Sequence, residues 1–128
     1  MSDTEKVSFN MSVVDLGQVD LLVGQGFYSS RTDFIRTAAR NLLLTHAPTV
    51  QEAVARQLMA LGMIVYDRRT LERELSLKRQ LDIRVVGVLV LAQDVTAKLA
   101  RAAIRSIKVY GVFRASNELK AALADRTE

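Results

Sequence analysis

The constraint that most narrows this chain is a strand with nothing beside it to pair with. In KVSFNM, residues 6–11, Val7, Phe9 and Met11 alternate with Lys6, Ser8 and Asn10, the period of a two-faced strand. A helix start follows at once, and no second strand lies at hairpin spacing. A lone strand leaves amides and carbonyls unpaired along both edges. A second copy of the chain can supply the partner. A two-fold axis would pair residues 6–11 antiparallel with themselves and lay Val7, Phe9 and Met11 of both copies on a helical core.

Two capped helices supply that core. Ser12 with Asp15 three residues on predicts the first, in which Val13, Leu16, Val19, Leu22 and Val23 recur at helical spacing until Gly24 and Gly26 end it. The second starts at Ser30, with Asp33 at its third position and Phe34, Ile35, Ala38, Ala39, Leu42 and Leu43 as its apolar stripe. It is expected to end near His46, because Pro48 biases Ala47 away from helix. Pro48 is also the best boundary between domains, giving residues 1–47 and 48–128.

Paired across a two-fold, the polar face would present Lys6, Ser8 and Asn10 twice, on a ribbon of the width the DNA major groove admits. Lysine donates to guanine, asparagine pairs bidentately with adenine, and serine donates or accepts. Strand, capped helix, glycine turn and the run YSSRTDFIRTAA, residues 28–39, together resemble the ribbon-helix-helix family of DNA-binding proteins, of the Arc, methionine-repressor and CopG type. The resemblance covers about residues 5–46. It implies an intertwined dimer that reads bases with Lys6, Ser8 and Asn10. It also implies a phosphate contact at the start of the second helix, at Ser29, Ser30 and Arg31, where a helix N-terminus favours an anion.

The rest of the chain is expected to be a small α/β region. Val50, Val54, Leu58 and Leu61 mark a helical stripe stopping at Gly62, MIVYD reads as a short strand, and residues 68–81 read as a helix with Glu74 and Lys78 paired. DIRVVGVLVLA is apolar on both faces, as a central strand is. A helix through Val95, Leu99, Ala102, Ala103 and Ile107 then leads to KVYGVF, a strand-helix-strand order that predicts a parallel crossover. Asn117–Ala124 closes the chain as a helix. VVGVLVLA and KVYGVFRA echo each other too faintly to count as a repeat. The fold class is therefore α+β, a ribbon-helix-helix followed by an α/β region.

Charge alone does not argue for DNA. The net charge is +4, but residues 1–47 hold four basic and five acidic groups, and the positive excess lies toward the C-terminus. With no cysteine and one histidine, the chain offers no disulfide framework or thiolate metal site, and His46 lacks company as a ligand. No metal or cofactor is expected. Arg36 and Arg40 suit solvent or a pairing with Asp33, and Asp67, Arg68 and Arg69 suit a strand-to-helix turn. No nucleophile elbow, phosphate loop or paired carboxylates stand out, so catalysis is not expected. No export signal is evident and the longest apolar run, Val85–Ala92, is too short for a membrane helix, which points to the cytoplasm.

The expected function is a homodimeric, sequence-specific transcriptional regulator of double-stranded DNA, acting as a repressor. Its C-terminal region would build a tetramer or larger assembly, or sense a ligand or protein. Two alternatives stay open: an antitoxin of the same fold, and an assembly protein whose ribbon only dimerises.

Overall fold

The computed structural model describes residues 4–128. They form two compact units, the first ending at Gln51 and the second running Glu52–Glu128.

The first unit holds α1 (Val13–Gly24) and α2 (Arg31–Thr45). Ser12 caps α1 by accepting from the Asp15 amide at 3.4 Å, and Ser30 caps α2 by accepting from the Asp33 amide at 3.0 Å. Between the helices Gly26 takes a φ of 86°, a conformation that glycine adopts without strain. The Tyr28 ring stands edge-on to Phe34 with centroids 5.0 Å apart, which packs the turn against α2.

Two helices enclose little. Val19 is the one buried residue among the described residues of this unit. Val13, expected on the apolar stripe, is 83% exposed, and Leu42 and Leu43 are exposed as well. Among the described residues, 6–11 form no strand, and Val7 and Phe9 lie exposed.

His46 caps the end of α2, and α3 (Ala47–Arg56) begins directly after it. Ala47 is thus helical, against expectation. Pro48 sits in the first turn of α3, where its missing amide forfeits no intrahelical hydrogen bond.

The second unit is a three-stranded parallel sheet in the order β1 (Ala60–Tyr66), β2 (Leu81–Leu91), β3 (Ile104–Arg114). The crossovers are α4 (Arg68–Ser76) and α5 (Ala97–Ala103), and α6 (Asn117–Ala122) follows β3. The central place of β2 and the parallel crossover agree with the sequence reading. Leu71 from α4, Ala100 and Ala103 from α5, and Leu119 from α6 share one core with Ile83, Val85 and Leu89 of β2 and Ile107 of β3. All three helices therefore cover the same face of the sheet.

The opposite face carries three cross-strand rows: Leu61–Val86–Tyr110, Met63–Val88–Val112 and Val65–Val90–Arg114. Its outer residues are open, with Leu61 62% and Val65 53% exposed.

Four element limits differ from the sequence reading. Leu58 and Leu61, placed on a helical stripe, lie beyond α3: Leu58 takes a φ of 53°, and Leu61 pairs with Val86 in the sheet. Lys78, at a φ of 55°, lies outside α4, so Glu74 meets Arg79 at 3.9 Å and not Lys78. Ile107, assigned to a helix, lies in β3 opposite Ile83. The last helix stops at Ala122, and Ala124–Arg126 follow as a single 3-10 turn. In Leu61 and Ile107, pairing with β2 overrides a local helical spacing.

The faint echo has a structural cause. Gly62, Gly87 and Gly111 stand side by side across the three strands with φ of 128°, 134° and 123°. A Cβ on Gly87 would collide with the Gly62 carbonyl, and one on Gly111 with the Gly87 carbonyl. Each strand repeats an apolar-Gly-apolar-apolar pattern: at Gly87 and Gly111 the neighbouring carbonyl excludes a side chain, and at Gly62, where the space is open, the positive φ favours glycine.

Candidate nucleic-acid interface

Lys6, Ser8 and Asn10 are exposed, as are the intervening Val7 and Phe9. The segment borders α2 along a groove with an apolar floor, to which Val7, Phe9, Ile35 and Ala39 contribute, and a charged margin of Glu5, Lys6, Arg31 and Arg36. A neighbouring groove runs under Phe9 and Met11 to Leu16, Val19 and Ile35. The segment thus carries polar side chains beside an unfilled apolar channel.

At the start of α2 the structure brings Ser29, Ser30 and Arg31 together, each with a partner inside the chain. The Ser29 amide donates to Asp33 Oδ2 at 2.9 Å, a reciprocal of the Ser30 cap displaced by one residue from the usual capping box. Arg31 donates from Nε and Nη2 to both carboxylate oxygens of Asp20 on α1, each at 2.8 Å. The Arg31 hydrogen bond holds the Asp20 carboxyl below its ordinary pKa, and the same bond raises that of Arg31. The amides of Arg31 and Thr32 lie in the first turn of α2, where a helix has no preceding turn to supply backbone acceptors.

Sequence reasoning does not find Asp20, because a pair eleven residues apart across a glycine turn leaves no periodic trace. Arg36 is exposed, yet it borders the same groove as Lys6. Arg36 and Arg40 make no ion pair with Asp33 among the described residues. Among the same residues no group of three or more His, Asp or Glu could hold a metal ion, and no helix is long and apolar enough to cross a membrane.

No curated protein and no solved structure matches this chain. The model of one family does match, over residues 2–120, and thereby extends well past the segment 5–46 that carries the resemblance, taking in the sheet of the second unit. With that match over most of its length, the chain belongs to the ribbon-helix-helix transcriptional regulator family.

Proposed function

We propose that the protein is a sequence-specific DNA-binding regulator that works as a ribbon dimer and represses the genes whose operator it covers. The observation that carries this reading is the emptiness of the first unit. Its two helices are well capped and bury Val19, while Val7 and Phe9 stand 77% and 60% exposed beside an apolar groove. A second copy's segment 6–11, paired antiparallel with the first, fills that need and covers both grooves.

The paired segments then form a ribbon whose outer face presents Lys6, Ser8 and Asn10 from each copy to base edges in the major groove. The first-turn amides of α2 hold the flanking phosphates, with Ser29, Ser30 and Arg31 around them. Arg36 adds a cation along the same margin. Residues 1–47 in this reading dimerise and bind DNA, and residues 48–128 join dimers into tetramers. The ordered core of the second unit favours a regulator over an antitoxin, whose toxin-binding tail is usually short and disordered.

Selection of bound duplexes from a random pool tests the proposal. A regulator of this kind enriches one motif with two-fold symmetry. Recovery of unrelated sequences, bound equally, would support a chain that only assembles.

A further inference from the structure

The first unit offers DNA no net attraction. Residues 1–51 hold four basic and five acidic groups, whereas residues 52–128 hold fourteen and nine. A duplex draws protein to it by exchanging its counterions for cations, and this chain keeps its excess of cations in the second unit. We propose that the outer surface of α4 and α5 binds the sugar-phosphate backbone of double-stranded DNA through Arg69, Arg73 and Lys98, a second contact that reads no sequence. The inference rests on the DNA-binding function proposed above and adds a surface which that function does not use.

The two helices pack side by side over the sheet, with Leu71 and Leu75 of α4 and Ala100 and Ala103 of α5 turned to the core. Arg69 and Arg73, one turn apart, and Lys98 are exposed. Both carboxylates of α4 already have a cation, Glu72 in Arg68 at 2.7 Å and Glu74 in Arg79 at 3.9 Å, and α5 has no carboxylate. Arg101 pairs with Asp125 at 3.2 Å. Asp67 and Asp94 precede the helices and accept from backbone, Asp67 from the Thr70 amide at 2.8 Å and Asp94 from the Arg68 amide at 3.1 Å. Among the described residues, the charges on α4 and α5 without an ion pair are Arg69, Arg73 and Lys98, and all three are positive.

Charge complementarity and chemistry select a duplex backbone as the occupant. Neither helix carries an aromatic residue, so the surface has no platform for unpaired bases. Arg69 and Arg73 lie about 6 Å apart along the helix axis. Each strand of a duplex offers a phosphate about every 3.4 Å of its axis, so both cations find one without a fixed register. A duplex held by the ribbon is also present at high effective concentration around the second unit of the same chain, an advantage that an acidic protein lacks.

Salt titration of binding by the full chain tests the contact, with the duplex enriched by selection and a scrambled duplex of equal length as probes. Arg69→Gln, Arg73→Gln and Lys98→Gln combined should lower the slope of log affinity against log salt by about 2 to 3 per bound copy, and each alone by about one. Affinity should fall by the same factor on both duplexes, so that the ratio between them survives. A control chain carrying Arg56→Gln, Arg84→Gln and Lys108→Gln loses the same charge away from this surface and should keep the wild-type slope. A wild-type slope in the combined variant, or an equal loss in the control chain, overturns the contact at α4 and α5 and leaves DNA binding standing. A wild-type chain that binds neither duplex overturns both the contact and the DNA-binding function beneath it.

Discussion

Arg31, the first residue of α2, grips Asp20 of α1 through two hydrogen bonds of 2.8 Å, and so ties together the two helices that frame the proposed phosphate site. The pair is exposed on both sides. Its structural contribution is accordingly small, and its electrostatic effect matters more, because Asp20 neutralises the cation nearest to the helix start.

Removing either partner should therefore move DNA affinity in opposite directions. Arg31→Ala should weaken operator and random DNA alike and lower the slope of log affinity against log salt by about one. Asp20→Asn should strengthen both and steepen the slope. Titration of binding against salt for the two variants checks this. Equal losses in both would make the pair a structural strut only.

The same pair sets a pH dependence. Asp20 titrates below its ordinary value because Arg31 hydrogen-bonds its charged form. A depressed folded pKa stabilises the native state above the unfolded carboxylate pKa of about 3.9, and that stabilisation disappears as pH falls through the folded value. The stability of the wild-type chain and of Asp20→Asn should converge on acidification, as followed by denaturant titration from pH 7 to pH 3.

Phe9 tests the ribbon core. On the dimer reading its ring is buried between copies, so Phe9→Ala should cost about 3–5 kcal/mol of dimer stability and make the unfolding midpoint depend more steeply on protein concentration. Analytical ultracentrifugation over a dilution series measures it. An unchanged dissociation constant would mean that the ring stays in solvent.

Two glycines make opposite predictions. At Gly87 a Cβ collides with the neighbouring strand, and φ is 134°, so Gly87→Ala should lower the thermal midpoint sharply or prevent folding. Gly17 lies in mid-helix with nothing within 4 Å of where a Cβ would stand, so Gly17→Ala should stabilise by up to about 1 kcal/mol. Thermal melts of the two variants compare them directly.

How much of this was legible in the sequence depends on distance along the chain. Ser12 and Ser30 announced α1 and α2 because a cap and its amide lie three residues apart, and the apolar density of Val85–Leu91 announced the central strand, which lies between β1 and β3. Leu61 and Ile107 misled because helical spacing is a local signal, whereas their positions follow from pairing with β2, some 25 residues away. The glycine line was visible only as a faint echo, since its meaning lies in the register of three strands. At the candidate site the polar alternation of Lys6, Ser8 and Asn10 could be read directly. The Asp20 partner of Arg31 could not, because the turn that brings them together is encoded in Gly24 and Gly26 and not in either residue.

The most direct test compares affinities on two duplexes at one fixed salt concentration, the selected operator and a scrambled sequence of equal length. If the ribbon reads bases, Lys6→Ala and Asn10→Ala should each lose about 1–3 kcal/mol on the operator and much less on the scrambled duplex, so that the ratio of the two affinities collapses. Variants that bind the operator as tightly as the wild-type chain, with the ratio intact, would contradict the reading of DNA by residues 6–11.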